Sequence, residues 1–595
     1  DISAYAGQIG LAAGTEFTVV PLENKTDPNR IALGNFVKVA EDGAGEVINE
    51  EGASLTADLG LIGMYGSEIT QDGIAVAETS PEIASRIEMM ASKLVSTGKN
   101  SFTGTPIIGS DTNSESEETY IADEDLLDSA TVYISGLING EIPLPTETVK
   151  RVVHRGTIYA PSGDVKIRAE ERVYLDSGSK IDVSGLEVDQ EAEELVLEVT
   201  LNSLELRDYF AQKGGVLQGE KIRFLITEGS AIGDISGALN TQESTAAELA
   251  TSGGTIEIYS GVNDPTGQES GRVPDIIVRE GAELDFSGGG IHYEAGTVEI
   301  TGLVNGNTVT NIAEASPSGR YSAMANVWKN VPSFFSGSDA GTLRLVAPCI
   351  VLDGNLNGSV TVGPYQLYDD AEKANGLLSL LRPKAGTLEL GQEYNINQAR
   401  TTRDAIQESI TIVESNTALT DFTADDELDS DRANVFSAEI LNEAGLGTLK
   451  LTANTEFHQK QGADLELQAG GELTVAARRI VEEGKVYAPG GEVNFTLVEN
   501  LTSYDETDPR YKEQVDRFYL GPQAVIDVSG EQIDNRFLRD GEIINHGFLN
   551  GGSVTIKDWS DPVNGMILAE GSRIDVGGGY EWSTDDDLEG GDAGS

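Results

Sequence analysis

Four aspartates occupy the same position in a recurring short phrase, and carboxylates repeated in this way are the residues of this chain most suited to chemistry. They are Asp182 in GSKIDVSG (178–185), Asp285 in GAELDFSG (281–288), Asp527 in PQAVIDVSG (522–530) and Asp575 in GSRIDVGG (571–578). Two carboxylates set about 5–9.5 Å apart can hydrolyse glycosidic bonds, and carboxylate oxygens also bind Ca²⁺.

A structural role for these aspartates is the interpretation that the pattern favours. Strand alternation places Ile181 and Val183 on the inner side and Asp182 on the outer side beside a turn, where its carboxylate can accept backbone N–H groups of the next turn. A device repeated several times is typical of structure, whereas a catalytic pair occurs once, so turn stabilisation ranks first, a cation site second and catalysis last. Glycine closes each phrase, and we expect it to supply a positive φ at a corner: Gly185, Gly288, Gly530 and Gly578.

Two acidic runs could hold a cation weakly, because Ca²⁺ prefers hard oxygen ligands. DDELDSD at 425–431 supplies Asp425, Asp426, Glu427, Asp429 and Asp431, and DDDLEGGD at 585–592 supplies Asp585, Asp586 and Asp587. Neither run has the spacing of an EF-hand, so a solvated acidic loop is the favoured interpretation and Ca²⁺ the alternative. No other cofactor is indicated, since the four histidines show no metal-binding spacing.

The elements that must position these residues are short strands. The stretch 156–185 divides into alternating apolar pairs separated by Gly-rich or charged turns, and Gly-initiated strands recur in GGTIEIYSG (253–261), GTVEITG (296–302), GTLRLVA (341–347), GTLKLTA (447–453), GGEVNFTL (490–497) and GGSVTIKD (551–558). Strands this short suit a solenoid, in which each coil of about 20–25 residues adds strands to sheets along one axis. The sequence therefore predicts an all-β, right-handed parallel β-helix with inserted loops and short helices.

The repeats also suggest a division of the chain. We expect coils at 1–79, 151–185, 251–302, 341–363 and 445–595, the last with a loop near 498–517, and insertions at 80–150, 186–250, 303–340 and 364–444. In the first insertion, the spacing of Ile83, Ile87, Met90 and Leu94 predicts a helix with Ser80 as N-cap and Pro81 in its first turn, followed by an acidic loop.

Composition excludes several classes of function. The 595 residues include 99 acidic and 40 basic side chains, a formal net charge of −59, which argues strongly against binding nucleic acid. No window has about 18 consecutive apolar residues, so we expect no membrane span. A single cysteine, Cys349, excludes an internal disulfide. Both ends of the chain read as parts of a longer protein.

The opening DISAYAGQIGLAAGTEF, the block ADLGLIGMYGSEITQDGIAVAETSP (57–81) and the repeated G-x-I-D-V-S-G ending resemble the filamentous-haemagglutinin family, the large exoproteins of two-partner secretion in Gram-negative bacteria. The resemblance extends over roughly half of the chain, chiefly its coils. The family's N-terminal secretion domain normally carries an Asn-Pro-Asn-Leu type of motif, whereas this chain has no Asn-Pro dipeptide. We therefore expect a segment that lacks the secretion domain.

The resemblance implies a rod exported through an outer-membrane β-barrel transporter and displayed outside the cell, at the surface of a Gram-negative bacterium. The expected function is that of a non-enzymatic adhesin or extracellular structural fibre in cell adhesion or biofilm. Edge strands at each end of a solenoid offer unpaired backbone groups, so if the chain ends there natively, head-to-tail filaments are a specific version of this hypothesis. A host-cell, neighbouring-cell or glycan receptor is expected but not identified by the sequence. The alternative is a polysaccharide-active β-helix enzyme, a lyase or glycoside hydrolase.

Overall fold

The structure is a computed structural model, and about half of the residues that it describes lie in strands. It describes residues 1–14, 17–21, 35–39, 45–80, 83–108, 119–121, 129–136, 148–201, 212, 215–230, 232, 243–261, 271–366, 381–391, 407–498, 517–537, 549–558, 565–583 and 585–595. Within these ranges the helical elements are short: the α-helices Ala246–Leu249 and Ala438–Glu443 and the 3₁₀ turns Ala192–Leu195 and Ser430–Arg432. The prediction of an all-β chain is confirmed.

Parallel strands stack in three ladders. The first ladder contains Gln8–Ala12, Leu61–Gln71, Arg86–Thr97, Thr131–Ser135, Asp164–Leu175, Thr255–Ser260, Thr342–Val346, Thr387–Leu390, Thr448–Gln459, Glu472–Ala477, Glu492–Leu497 and Ser553–Asp558. In this first ladder the strands pair in the order of the sequence, so each turn of the chain lies on the turn before it. This arrangement is consistent with a β-solenoid.

One apolar position runs through all twelve steps of the first ladder. Register pairing joins Ile9, Ile62, Ile87, Val132, Val165, Ile256, Leu343, Leu388, Leu449, Leu473, Val493 and Val554. All but Val554 are buried, none more than 4% exposed. Because strands lie about 4.8 Å apart, side chains at this position touch above and below and form a continuous core.

The second ladder contains the C-terminal halves of the long strands Leu61–Gln71, Arg86–Thr97, Asp164–Leu175 and Thr448–Gln459. Its other strands are Glu46–Asn49, Val149–His154, Asp275–Val278, Cys349–Leu352, Gln407–Val413, Val435–Ser437, Arg479–Glu482, Arg517–Leu520 and Gly565–Leu568. Thus Gln407–Val413 and Val435–Ser437, which fall in the predicted insertion 364–444, are strands of the stack.

The third ladder consists of very short strands in two runs. These are Ile2–Ser3, Ser54–Thr56, Ile74–Val76, Phe102–Gly104, Thr157–Tyr159, Lys180–Asp182, Glu283–Asp285 and Asn355–Asn357, and then Asp464–Glu466, Lys485–Tyr487, Val525–Asp527 and Arg573–Asp575.

The helix Ala438–Glu443 bridges the two runs of the third ladder. Ser437 caps it by accepting a hydrogen bond from Ile440 N at 3.4 Å, and the helix residues Ala438 and Leu441 are buried. Ala444 O accepts from Gly358 N at 2.8 Å on one side, and Asn442 Nδ2 donates to Asp464 O at 2.9 Å on the other.

The helix predicted near residue 83 is wrong, because Arg86–Thr97 is a strand. Ile87 pairs in register with Ile62, and Val95 with Ile69. Further strands pair along the other side, so parallel hydrogen bonding on both edges decides the conformation over helical spacing. Ser80 forms an isolated bridge with Ile83 instead of a helix cap. Pro81 and most of the acidic loop after it lie outside the described residues, as does 499–516 of the predicted loop near 498–517.

The outward side of the first ladder carries charges of alternating sign in five successive turns: Lys166, Glu257, Arg344, Glu389 and Lys450. Arg344 Nη1 lies 3.1 Å from Glu257 Oε1, and its Nε lies 2.5 Å from Glu389 Oε2. Lys450 Nζ lies 3.4 Å from Glu389 Oε1. These opposite charges in directly paired positions stabilise the observed register.

The remaining strands form small sheets beside the stack. They are the hairpin Phe17–Pro21 with Asn35–Val39, the pair Thr119–Ile121 and Glu243–Thr245, the set Glu187–Gln190, Gly290–Tyr293 and Phe334–Gly337, the pair Val196–Thr200 and Lys221–Leu225, the set Gly296–Asn305, Thr308–Asn311 and Ala323–Val331, and the set Gln532–Asp534, Tyr580–Trp582 and Leu588–Gly590.

Candidate functional site

Each repeat aspartate folds back onto its own turn. Asp182 Oδ1 accepts hydrogen bonds from Ser184 N at 3.0 Å and from Ser184 Oγ at 2.7 Å. Asp285 and Asp527 make the same pair of bonds to Ser287 and Ser529. These donors lie two residues further along the same β-turn, and Asp285 also accepts from Asn357 Nδ2 of the next coil at 3.2 Å. These carboxylates therefore stabilise turns by accepting local hydrogen bonds.

Asp575 and Asn357 extend this set of turns. Asp575 Oδ1 accepts from Gly577 N at 3.0 Å, and this bond and Arg573 lower the pKa of the Asp575 carboxyl. Asn357 accepts from Ser359 N at 3.3 Å and from Ser359 Oγ at 2.7 Å. Sequence reasoning missed Asn357, although N-x-S in NLNGS was a visible signal.

The corner glycines are required by close packing, so the expectation of a positive φ is wrong for them. A Cβ on Gly185 would lie 1.8 Å from Thr251 O, and one on Gly288 would lie 2.1 Å from Ser338 O. On Gly530 and Gly578 it would lie within 2.3 Å of backbone atoms. Positive φ occurs instead at the glycine that opens the phrase, as at Gly178 with φ 84°. These corners therefore hold two stretches of backbone at a distance that no side chain allows.

The first acidic run belongs to a segment, residues 415–434, that we call the strap. The strap crosses the outer side of the second ladder. Asp425 Oδ1 accepts from Arg151 Nη2 at 2.7 Å, and Asp426 Oδ2 accepts from Thr423 N and Oγ1 at 2.7 and 2.8 Å. Asp429 caps the 3₁₀ turn by accepting from Asp431 N at 3.1 Å. The carboxylates are thus engaged separately and do not converge.

A buried ion pair lies under the strap. Arg172 Nε and Nη2 lie 2.6 Å from the two carboxylate oxygens of Asp275, and Arg172 is fully buried. Burial raises the pKa of Asp275, and the guanidinium opposes this shift. The remaining nitrogen, Arg172 Nη1, donates to Ala424 O at 2.9 Å and to Asp426 O at 2.7 Å. The ion pair therefore also holds the strap.

Apolar contacts complete the seat of the strap. Ala424, with Leu419, Phe422 and Leu428 beside it, packs on side chains of four successive turns: Val153, Tyr174, Ile277 and Val351. Tyr174 Oη donates to Phe422 O at 2.9 Å, and Arg279 Nη2 donates to Leu419 O at 2.9 Å. Sequence reasoning missed this site, because its arginines and the strap are far apart in the chain.

The second acidic run is arranged differently. Asp585, Asp586 and Asp587 are exposed, and Ser583 Oγ accepts from the backbone N–H groups of Asp585 and Asp587 at 3.2 and 3.1 Å. Throughout the described ranges, the structure shows no group of three or more His, Cys, Asp or Glu side chains placed to hold a metal ion. Weak Ca²⁺ binding at either run stays a prediction.

Two predicted insertions, 186–250 and 303–340, pack together into one body that we call the flank unit. Phe224 of the first insertion shares a core with Leu303 and Ile312 of the second. A neighbouring core joins Leu225 to Val331 and includes Ile300. On the outside of this body the indole of Trp328 is 66% exposed. The flank unit thus presents an aromatic side chain at a distance from the core of the stack.

The last turn of the stack leaves its apolar side chains uncovered. Met566 and Leu568 are 47% and 58% exposed, whereas their counterparts one turn earlier, Phe518 and Leu520, are fully buried. Ile574 is 38% exposed above the buried Ile526. The first turn is uncovered in the same way on the third ladder, where Ile2 is 46% exposed beside the buried Leu55, although Ile9 of the first ladder is only 4% exposed.

Comparison of the chain with protein-family models, with curated proteins and with solved structures gave no match. In the parts of the chain that the structure describes, no helix is long and apolar enough to cross a membrane. Functional inference therefore depends on the ladders, the strap, the flank unit and the uncovered last turn.

Proposed function

We propose that this chain is a stretch of a secreted bacterial surface rod, a right-handed parallel β-helix that acts as an adhesin or an extracellular structural fibre. The observation that carries the proposal is the first ladder, in which twelve turns stack in sequence order over one buried apolar position. Such a stack is about 55 Å long at the usual strand spacing. The right hand follows from the general preference of parallel crossovers.

Export to the cell surface of a Gram-negative bacterium is part of the proposal and derives from the resemblance to filamentous haemagglutinin. The net charge of −59 and the single cysteine support it, because such a chain can pass a pore unfolded without clumping or cross-linking. Folding can then begin on one turn and propagate along the stack. An outer-membrane β-barrel transporter would be the export partner.

End-to-end association is the most specific version of the proposal. Met566, Leu568 and Ile574 expose apolar surface on the last turn, and their two strands, Gly565–Leu568 and Arg573–Asp575, pair with described strands on one edge only. All strands of the ladders run parallel, so if the protein ends at these turns, the last turn of one copy would meet the first turn of another in the same direction. Such a contact is heterologous and generates an open filament.

Receptor binding is assigned in this proposal to the bodies that decorate the stack. The flank unit supports this assignment, because its exposed Trp328 offers the kind of aromatic surface found in the contacts of proteins with proteins and glycans. The carboxylates of Asp182, Asp285 and Asp527 are engaged in their own turns, so we do not propose them as the acid–base pair of a polysaccharide-active enzyme.

Electron microscopy of the purified chain over a range of concentrations tests the proposal. We expect rods, and filaments many times longer than about 55 Å at high concentration. Leu568→Glu should abolish the filaments by placing a charge in the contact, whereas Val309→Glu, a matched change at an exposed valine of the flank unit, should leave them intact. Short single rods at every concentration would contradict end-to-end association, and compact particles would contradict the rod.

A further inference from the structure

Gln459 and Glu482 occupy the same corner in consecutive turns. Each ends its strand of the second ladder, Thr448–Gln459 or Arg479–Glu482, and their Cα atoms are register partners. Both residues are fully buried. In the following turn the partner of Glu482 is the buried Leu520.

The hydrogen bonds at this corner are incomplete. Gln459 Nε2 donates to Ala463 O at 2.5 Å and to Lys485 O at 2.9 Å, so both amide hydrogens are used and the orientation of the amide is fixed. Glu482 Oε1 accepts from Gly484 N at 3.0 Å. Gln459 Oε1 and Glu482 Oε2 have no donor among the described residues. Two buried acceptors therefore lie in paired turns with nothing to bond.

The surrounding charges disfavour a carboxylate at Glu482. Burial raises the pKa of Glu482 well above its usual value, and the negative charges of Glu483 and Asp464 raise it further. The basic side chains nearby are directed to those carboxylates: Lys485 Nζ lies 2.8 Å from Asp464 Oδ2, and His458 Nε2 lies 2.9 Å from Glu483 Oε2. The strand Arg517–Leu520 presents the apolar Leu520 to Glu482.

The equivalent corner near the other end of the stack shows how the hydrogen bonds of such a buried glutamine can all be satisfied. Asn49 and Gln71 are register partners there, and Asn49 Nδ2 donates to Gln71 Oε1 at 2.7 Å. Gln71 Nε2 donates to Gly73 O at 3.2 Å and to Phe102 O at 3.3 Å. A glutamine whose amide hydrogens go to backbone carbonyls thus receives a donor from the paired turn. At Gln459 the paired residue is Glu482, which can donate only when it is protonated.

We propose that Glu482 is an uncharged carboxylic acid in the folded protein and that its Oε2–H donates to Gln459 Oε1. A proton taken from solvent on folding then links two consecutive turns and satisfies both buried acceptors. The inference is independent of the proposed function, since it concerns the coherence of the stack.

The proton makes this pair of turns sensitive to alkali. The folded-state pKa of Glu482 lies above its unfolded value, so the stabilisation is fully present below the unfolded pKa and is lost as the pH rises through the folded-state pKa. Between those two values, opening of the turns releases one proton, and the opening constant rises about tenfold per pH unit.

Hydrogen exchange on the full chain, followed by mass spectrometry between roughly pH 5 and pH 7, tests this inference. Exchange that proceeds by local opening rises in proportion to hydroxide for every amide, a slope of about one in log rate against pH. Peptides covering 456–486 should show a slope of about two, because opening itself adds about one more. Peptides from the turn 54–76, where the donor to Gln71 is the non-titrating amide of Asn49, should keep a slope of about one.

Glu482→Gln should lower the slope at 456–486 to that of the other turns, because glutamine can donate to Gln459 Oε1 without a titrating proton. The matched control Glu492→Gln, at an exposed position of the strand Glu492–Leu497, should keep the wild-type slope. Both variants keep His458, so they differ from the wild type only at the substituted glutamate. Equal slopes in wild type and Glu482→Gln would overturn the inference.

An infrared measurement decides the matter even if Glu482→Gln fails to fold. The wild-type chain should show the carbonyl band of a protonated carboxylic acid near neutral pH, and the band should fade on alkaline titration as the 456–486 peptides lose protection. A chain without such a band at neutral pH would overturn the inference.

Discussion

The two acidic runs look alike in sequence and differ in what surrounds them. In the strap, Asp425 faces Arg151, and the backbone beside it is held by Arg172 and Arg279. At 585–592 the aspartates are exposed, and the backbone turns on Ser583. The difference teaches that the role of an acidic segment is decided by the groups it meets, which lie elsewhere in the chain.

The strap is bound by its backbone more than by its charges. Carbonyl oxygens of Leu419, Phe422, Ala424 and Asp426 accept hydrogen bonds from arginine and tyrosine side chains on the second ladder. A guanidinium has five N–H donors in a planar fork, so it can serve an ion pair and two carbonyls together. Arg172 does this under the strap.

The largest effect should follow from Asp275→Ala, which leaves the buried Arg172 without a counter-charge. We expect a loss of about 3–5 kcal/mol in the local free energy of unfolding, measured by hydrogen exchange in the strap and in 164–175. The double variant Arg172→Met/Asp275→Leu removes both charges and should recover most of the loss. If the single and double variants are equally destabilised, the charge is not the cause.

Phe422→Ala should have the next largest effect. Phe422 packs against the cluster under the strap, and the guanidinium of Arg172 lies 5.4 Å from the centre of its ring. We expect the strap to loosen by about 2 kcal/mol, seen as faster limited proteolysis at 415–434. The control Trp328→Ala removes an exposed aromatic ring from the flank unit and should leave the strap as resistant as in the wild type.

Acid should loosen the strap more gently. Hydrogen bonding and charge from Arg151 hold the pKa of Asp425 below its usual value, so this stabilisation is present above the unfolded pKa and is lost as the pH falls through the folded-state pKa. Because the carboxylate is exposed, we expect less than about 1 kcal/mol. Asp425→Asn should abolish this component of the pH dependence of strap proteolysis, and an unchanged acid profile in that variant would assign it to other groups.

Calcium should produce the smallest effect and distinguish the two runs. The carboxylates of Asp425 and Asp426 already accept hydrogen bonds, whereas Asp585, Asp586 and Asp587 are exposed. We therefore expect the heat of Ca²⁺ binding, measured by titration calorimetry, to decrease slightly in the triple variant Asp585→Asn/Asp586→Asn/Asp587→Asn. Asp425→Asn should leave this heat unchanged. The reverse dependence would show that the strap opens to bind the ion.

The sequence predicted the stack well because its signal is local. Alternation of Val165 and Ile167, or of Ile256 and Ile258, shows the inward side of a strand without knowledge of its neighbours. The same reasoning erred at Arg86–Thr97, where Ile87, Met90 and Leu94 also satisfy a helical spacing. Only the pairing of this segment with other turns decides between the strand period of about 2 and the helical period of about 3.6 residues.

The strap and the acid–amide pair could not be predicted in the same way. Arg151 and Asp425 are separated by 274 residues, so no local pattern joins them. In the sequence, Gln459 and Glu482 look like ordinary polar residues at the ends of strands. Nothing local shows that the chain turns back over them and buries them. The turn role of Asp182 was accessible, because the aspartate and Ser184 are neighbours in the repeated phrase.

The alternating charges along the first ladder bear on how the stack avoids errors of assembly. Lys166, Glu257, Arg344, Glu389 and Lys450 lie in turns separated by long connecting segments, where a turn could most easily be left out. Omission of any one inner turn would place two like charges side by side, Glu257 against Glu389 or Arg344 against Lys166. The alternating charges thus disfavour a stack from which one turn is missing. The like charges that this error brings together repel each other as soon as the wrong turn docks.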